Sequence, residues 1–330
     1  MKIAIVKLSA MGDIIHAMVA LQYIKKSHPN SQIDWIVEQG FSAVLENNPH
    51  IDNILPVNLK AIKKDKKKIF EELRRVKGYA KNNYDLVIDA QGLLKSALVA
   101  KLLGKKRAGF SKTSIREGIA SLFYNQYVEI AYDANTIDRN AKVMSEPLGV
   151  TISPEMIHDK EAFLYYEDAE VLSLLSLDKK NVIFVIGSTW ESRNYPKEKF
   201  AQIASALKAN VLIAWGSEEE KERAEWIAKE TEYAQVLPKI NLNALKAIIG
   251  KADLLIGNDT GPTHMAWGLN VPSITIFGPT PTNRVYETDI NKVIKSSSKV
   301  DHYKLNKNDF SIVDIEASEI IDMAKGLLDA

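Results

Sequence analysis

ADLLIGNDTGPTHMAWGLNVPSITIFGP, residues Ala252 to Pro279, is the stretch whose reading decides the fold. Its front edge, Ala252 to Gly257, is a short apolar run ending in Gly, and its back edge, Pro272 to Phe277, is a β-rich run closed by Gly278-Pro279; both read as strands. A helix has to lie between them. It starts near Asp259-Thr260-Gly261-Pro262, because Pro262 suits a first turn that needs no N–H and either Asp259 or Thr260 can cap. It ends by Gly268 or Asn270, so it is short. A strand that runs through Gly into a helix leaves several unpaired N–H groups converging on one spot, with the helix dipole behind them. Such a spot binds phosphate. Asp259 and His264 stand beside it, with Gly261 permitting close backbone approach. By residue type alone they read equally well as an ordinary cap and an ordinary helix residue.

Working outward, the whole chain has 330 residues, long for one hydrophobic core, so two domains are expected. With 46% hydrophobic and 26% charged residues it has the balance of an ordinary globular protein. Cysteine is absent, which excludes disulfide and thiolate chemistry and is consistent with a reducing compartment. The N-terminus enters a strand directly, without the pattern of a signal peptide, and no apolar run approaches the roughly 18 to 20 residues of a membrane span. A cytoplasmic protein, soluble or peripheral to a membrane, is expected. The net charge of +1 hides an asymmetry, with residues 1–160 at +7 and residues 161–330 at −6. The basic half should face an anion.

In chain order, Lys2 to Lys7 is a first strand and Ile14 to Ile24 a dense apolar helix, joined by Leu8-Ser9-Ala10-Met11-Gly12-Asp13. This opening lacks the G-x-G-x-x-G of a dinucleotide site and the G-K-S/T of a P-loop, so dehydrogenase and NTPase readings lose weight. Asp13 reads either as a helix cap or as a carboxylate aimed into a cleft from the carboxyl end of strand one. Strands at Ile33 to Val37, Ile54 to Val57 and Tyr84 to Ala90 continue a parallel sheet. Lys60 to Lys77 reads as one helix with Ile62, Ile69, Phe70, Leu73 and Val76 on a stripe and a charge of +6. Alone it is a solvated face; with Lys101, Lys105, Lys106, Arg107, Lys112 and Arg116 it becomes an anion-facing surface. Gln91 and Lys95 open the helix after the Tyr84 strand. Residues 150–159 lose periodicity and are taken as the linker.

The second half repeats the grammar. Asn181 to Ile186 is a buried strand, followed by the loop Gly187 to Pro196, whose Ser188, Thr189 and Arg193 offer hydroxyl and guanidinium donors suited to a diphosphate. A strand at Val211 to Ala214 leads through Trp215-Gly216-Ser217 to an acidic helix, where Glu220 could accept both ribose hydroxyls. After Pro279 the segment Thr280 to Tyr286 is loop-like, and Ile312 to Leu328 is an amphipathic terminal helix.

Two strings carry a resemblance: Lys7 to His16 (KLSAMGDIIH) and Asp259 to His264 (DTGPTH), supported by Trp35 to Phe41 (WIVEQGF) and Trp215-Gly216. Over nearly its whole length the chain resembles the ADP-heptose:lipopolysaccharide heptosyltransferases, glycosyltransferase family 9. The resemblance implies an α/β fold of glycosyltransferase B architecture, with two Rossmann-like domains facing across a cleft. The first would span residues 1–155 and bind the acceptor; the second, residues 156–313, would bind the ADP-sugar. The terminal helix, about 314–330, would cross back onto the first. Implied too is inverting transfer of L-glycero-D-manno-heptose from ADP-L-glycero-β-D-manno-heptose to a Kdo (3-deoxy-octulosonic acid) residue of Kdo2-lipid A, without metal or cofactor. The place of work would be the cytoplasmic face of the inner membrane, by peripheral contact and with no nucleic-acid partner.

Carried over by position, Asp13 is the base. Ser188, Thr189 and Arg193 meet the phosphates, Glu220 the ribose and Asp259 a sugar hydroxyl. Thr260 and Gly261 bring backbone N–H groups to the diphosphate, with His264 beside them. Lys60, Lys63, Lys64, Lys67, Arg116 and Gln91 form the acceptor side. One departure stands out: the family commonly has Lys where this chain has Arg193, a fork in place of a point charge. Metal independence suits a sequence with no D-x-D loop motif, because a helix dipole and a guanidinium can neutralise a leaving diphosphate. The alternatives are a heptosyltransferase II-like transferase, a sugar-nucleotide epimerase or hydrolase on the same fold, and a non-catalytic nucleotide-sugar binder.

Overall fold

The computed structural model describes residues 1–329, with Lys63 known by its backbone alone. Its strands form two six-stranded sheets in which every pair is parallel. The first holds β1 (Lys2–Val6), β2 (Gln32–Glu38), β3 (Asn53–Val57), β4 (Leu86–Asp89), β5 (Arg107–Phe110) and β6 (Gln126–Val128), in the order β3-β2-β1-β4-β5-β6. The second holds β7 (Asn181–Val185), β8 (Asn210–Ala214), β9 (Ala234–Val236), β10 (Leu254–Asn258), β11 (Ser273–Phe277) and β12 (Asn291–Lys295), in the order β9-β8-β7-β10-β11-β12. The two orders are the same doubly wound, Rossmann-like topology. Each reverses direction once, between β1 and β4 and between β7 and β10, and open α/β sheets place ligands outside the carboxyl ends of the strands at that reversal.

The strand sequences follow from the layers. β7 (NVIFV) and β11 (SITIF) are buried at every position, as strands covered by helices on both faces must be. The covering helices of the first unit are α1 (Met11–Met18), α2 (Ala20–Ser27), α3 (Leu59–Lys64), α4 (Lys68–Tyr79), α5 (Leu94–Leu103), α6 (Thr136–Ser145) and α7 (Pro154–His158). Those of the second are α8 (Lys197–Leu207), α9 (Glu218–Glu230), α10 (Leu242–Gly250), α11 (Gly261–Gly268) and α12 (Ala317–Asp329). No helix among the described residues is long and apolar enough to cross a membrane.

Three expectations are corrected. The division into compact units falls between Tyr165 and Tyr166, not at 155/156. Residues 156–165 stay with the first unit because Ile157 and Phe163 are buried there and the Phe163 carbonyl accepts from Asn48 Nδ2 at 3.1 Å; loss of periodicity marked the end of regular structure, not of packing. The terminal helix belongs to the second unit. Ile315, Ala317, Ile320 and Ala324 join the same core as Phe200 and Ile203 of α8, while Tyr195 Oη and Lys199 Nζ donate to the Ile315 carbonyl at 3.0 and 2.7 Å. The basic stretch Lys60 to Lys77 is two helices, because Asp65 Oδ1 accepts from Lys67 N at 2.9 Å and that local bond competes with helix continuation. Of its apolar stripe Val76 is buried, but Ile69, Phe70 and Leu73 are exposed.

Candidate functional site

In the second unit β10 ends at Asn258 and α11 begins at Gly261, so two residues make the whole turn. The turn is tight because Gly257 has no side chain: a Cβ there would lie 2.7 Å from both Thr263 Oγ1 and Val185 Cβ. Thr263 Oγ1 in turn donates to the Asn258 carbonyl at 2.7 Å. Thr260 occupies the cap position with extended backbone and no side-chain cap bond. Its helix therefore starts with N–H groups that no capping side chain claims, the arrangement a diphosphate needs.

Asp259 is not a helix cap. It is 3% exposed and faces inward. His264 Nε2 lies 3.2 Å from its Oδ1, while Oδ2 accepts from Thr280 Oγ1 at 2.9 Å and lies 3.2 Å from Arg193 Nη2. Three of a carboxylate's roughly four acceptor positions are thus used, leaving one on Oδ1. Burial opposes ionisation of Asp259, but the His264 hydrogen bond and the charges of Arg193, His264 and Arg284 outweigh it and hold the carboxyl far below its usual range. Burial pushes the Arg193 guanidinium down, with Asp259 pulling it back up and Arg284 adding to the fall. The result is a fixed cationic fork beside the helix N-terminus.

Asn258, fully buried, ties this turn to the loop after β7: its Oδ1 accepts from Tyr195 N at 3.1 Å and its Nδ2 donates to the Ile186 carbonyl at 2.7 Å. On that loop Ser188 Oγ, Ser192 Oγ, Arg193 Nε and Asn194 Oδ1 are buried polar atoms with no hydrogen-bond partner among the described residues. Thr189 is exposed. Buried polar atoms in folded proteins are almost always paired, so four unpaired ones on one short loop mark a place built for a polar ligand. Glu220 completes the edge from β8. Its Oε2 accepts from Gly216 N at 2.6 Å, and its carboxylate lies so close over Gly187 that a Cβ there would stand 2.0 Å from Oε1. Gly187→Ala should therefore swing Glu220 off Gly216 and, on the reading of Glu220 as a nucleotide contact, weaken ADP binding by about ten- to a hundredfold while the unit stays folded. Isothermal titration with ADP checks this.

In the first unit the corresponding edge gathers the other candidates. Asp13 is the third residue of α1, and its Oδ2 accepts from Ala10 N at 3.2 Å, so Ala10 holds the cap position and Asp13 supplies the reciprocal bond. The other oxygen makes no hydrogen bond among the described residues. The Ser9–Ala10 peptide is cis. Gln91 Oε1 accepts from Leu8 N and Ser9 N, both at 3.0 Å, so its amide oxygen holds the β1–α1 loop against the β4–α5 loop and is not free for an acceptor. Lys60 is the second residue of α3, just past the carboxyl end of β3, its N–H donating to Glu38 Oε1 at 2.8 Å and its Nζ 4.5 Å from the Phe41 ring centroid. Lys64 is exposed at the end of α3, Lys67 lies in the break beyond it, and Arg116 is exposed after β5. The Lys63 side chain lies outside what is described.

Four contributors escaped sequence reasoning. Thr280, Arg284 and Asn258 hold or bias the Asp259 centre. Lys7 is buried beneath the Asp13 loop, its Nζ donating to the Ala90 carbonyl at 2.9 Å and to Asn140 Oδ1 at 2.8 Å. Burial pushes its ammonium down, and the charges of Asp13 and Asp89 pull it up. A Lys closing an otherwise apolar strand was the available signal for it. Thr280, Arg284 and Asn258 left none.

Two Rossmann-like units, one carrying a charged cradle at a helix N-terminus on its reversal point, define the glycosyltransferase B class. The model of glycosyltransferase family 9 (heptosyltransferase) matches residues 73–310. A lipopolysaccharide heptosyltransferase 1 from Campylobacter coli is 38% identical, covering 99% of each chain. One from Pseudomonas aeruginosa is 34% identical over 85% of this chain and 79% of its own. Among solved structures, the Escherichia coli heptosyltransferase WaaC with ADP-2-deoxy-2-fluoro heptose superposes with a TM-score of 0.81 at 26% identity, covering 99% of each chain. The chain belongs to glycosyltransferase family 9, the heptosyltransferases.

Proposed function

We propose that the protein transfers L-glycero-D-manno-heptose from ADP-L-glycero-β-D-manno-heptose, with inversion, to a Kdo residue of Kdo2-lipid A in lipopolysaccharide inner-core synthesis. The observation that carries the donor half is the buried Arg193–Asp259 pair beside the open N-terminus of α11, with unpartnered Ser188 Oγ next to it on the loop after β7. In this reading the backbone of Thr260 and Gly261, the hydroxyls of Ser188 and Thr189, and the guanidinium of Arg193 hold the diphosphate. Glu220 accepts the ribose hydroxyls, and Asp259 offers its remaining lone pair to the sugar. As the glycosidic bond to phosphate breaks, charge builds on the leaving ADP, and the helix dipole with Arg193 and Arg284 stabilises it where it develops. Those cations supply that stabilisation from the protein itself, in keeping with a metal-independent reaction.

The acceptor half rests on the first unit, where Asp13 would remove the proton of the attacking hydroxyl and the basic residues Lys60, Lys63, Lys64, Lys67 and Arg116 would meet the phosphates and ketoacid of lipid A. With such an acceptor the enzyme works at the cytoplasmic face of the inner membrane as a peripheral protein. ADP release measured with and without Kdo2-lipid A tests the reading. Release that depends on acceptor supports transfer, whereas equal release in both points to a hydrolase. Within this frame the double substitution Lys60→Glu and Lys64→Glu should raise the acceptor KM, leave ADP affinity unchanged, and lose its effect as salt rises through the screening range. Initial rates at low and high ionic strength read that out, and flat acceptor kinetics would return these lysines to the role of solvated surface.

A further inference from the structure

The first unit exposes apolar side chains on three neighbouring elements. On α4 the buried side is Glu72 and Val76, which leaves Phe70, Leu73, Arg74 and Lys77 together on the solvent side at helical spacing, with Phe70 72% exposed. α4 packs on α5 in a core shared by Val76, Val99 and Leu103. α5 turns Leu94, Leu98 and Lys101 outward. Beside α5 runs a 3₁₀ segment, Gly118–Phe123, joined to it at one end by Leu94 N donating to Glu117 Oε2 at 2.8 Å and at the other by Lys101 Nζ, 5.3 Å from the Phe123 ring centroid. That segment presents Ile119 and Leu122 at 59% and 76% exposure.

Single exposed apolar residues are ordinary, but large ones on three elements packed in succession, α4 on α5 and α5 on the 3₁₀ segment, make a patch. Its surroundings are predominantly basic. Lys68, Arg74, Lys77, Lys95, Lys112 and Arg116 are all exposed on these elements or the loop beside them, against Glu71 and Glu117. Apolar side chains ringed by Lys and Arg match the surface of an anionic bilayer, where the former enter the headgroup boundary and the latter meet lipid phosphates. A second copy of this chain fits poorly: a symmetric contact through the patch would press two basic rims together.

We propose that this face of α4, α5 and the Gly118–Phe123 segment is a membrane-docking surface, inserting Phe70, Leu122 and their apolar neighbours into an anionic phospholipid bilayer. It rests on the lipid-acceptor reading for its purpose only, because binding to lipid needs neither donor nor acceptor.

Sedimentation of the full chain with vesicles of phosphatidylcholine alone or mixed with phosphatidylglycerol, without nucleotide, tests it. The protein should partition onto the anionic vesicles and hardly at all onto neutral ones. Phe70→Ser with Leu122→Ser should weaken that partition by about tenfold or more, since two large side chains lose their burial in lipid. Arg74→Glu with Lys77→Glu should remove the preference for anionic lipid. These side chains are exposed, so thermal melts and ADP affinity should match the parent, which separates lost docking from lost folding. Partition indifferent to lipid charge, or unchanged in both double variants, overturns the proposal. So does a concentration-dependent dimer in the absence of lipid that Phe70→Ser with Leu122→Ser dissolves, because the face then belongs to a second copy. Vesicle binding without acceptor-dependent ADP release leaves docking standing and removes the acceptor assignment instead.

Discussion

Asp13→Asn should lower kcat by about 10²- to 10⁴-fold, the range of general-base assistance, with ADP-heptose affinity nearly intact. The reacting alcohol must lose a proton as the new glycosidic bond forms, and an alcohol is far too weak an acid to release it unaided at neutral pH. The only carboxylate at the start of α1 is Asp13, at the carboxyl end of β1 on the reversal point of its sheet. One of its oxygens is held by Ala10 N–H at 3.2 Å, which fixes the rotamer, and the other is free to accept from a hydroxyl. Asn at this position keeps an oxygen for Ala10 and should leave the helix and the melting temperature unaltered. A catalytic role and a purely structural one therefore separate on turnover alone. Near-normal kcat at saturating donor and acceptor would remove Asp13 as the base, whatever happens to KM.

Much of the architecture was legible in the chain. β7 and β11 announce themselves as short apolar runs between Gly- and Pro-marked turns, and a parallel sheet leaves little freedom in how such units connect. The helix start at Thr260-Gly261-Pro262 was readable because Pro and Gly have narrow backbone roles. What the sequence hid was long-range or side-chain mediated. The break between α3 and α4 depends on one carboxylate turning onto a backbone N–H two residues on. α12 has a clear apolar stripe, yet a stripe does not say which core it covers, and it covers that of α8. Thr280 reaches Asp259 across 21 residues of sequence, and no local pattern in TPTNRVY signals it. Gln91 lay at the expected strand end, but its amide oxygen is spent on two backbone N–H groups of the β1–α1 loop.

Asp259→Ala should destabilise the second unit by about 3 to 5 kcal/mol, because it strands a buried guanidinium without its counter-charge. The Arg193 side chain is 13% exposed and Asp259 3%, with Nη2 and Oδ2 3.2 Å apart, so little water is available to compensate. Replacing both partners with apolar residues, Asp259→Leu with Arg193→Met, should cost much less than the single change, since neither charge is then left buried alone. A double-mutant cycle by denaturant titration measures the difference. The pH dependence has a fixed sign. Asp259 ionises more readily folded than unfolded, so its contribution is complete above the ordinary carboxyl range near pH ~4 and is lost as pH falls below it. In Asp259→Asn that part of the acid limb should flatten. The same substitution should free Arg193 from its fixed direction beside α11 and weaken ADP binding, with Thr280→Val, which removes only a neutral donor to Oδ2, having the smaller effect on both stability and affinity. A variant Asp259→Ala that unfolds within about 0.5 kcal/mol of the parent, a change typical of unremarkable surface sites, would mean that Arg193 finds solvent or another anion when Asp259 is gone. The charged cradle would then be an adjustable surface and not a preorganised one, and the donor assignment would lose the observation that carries it.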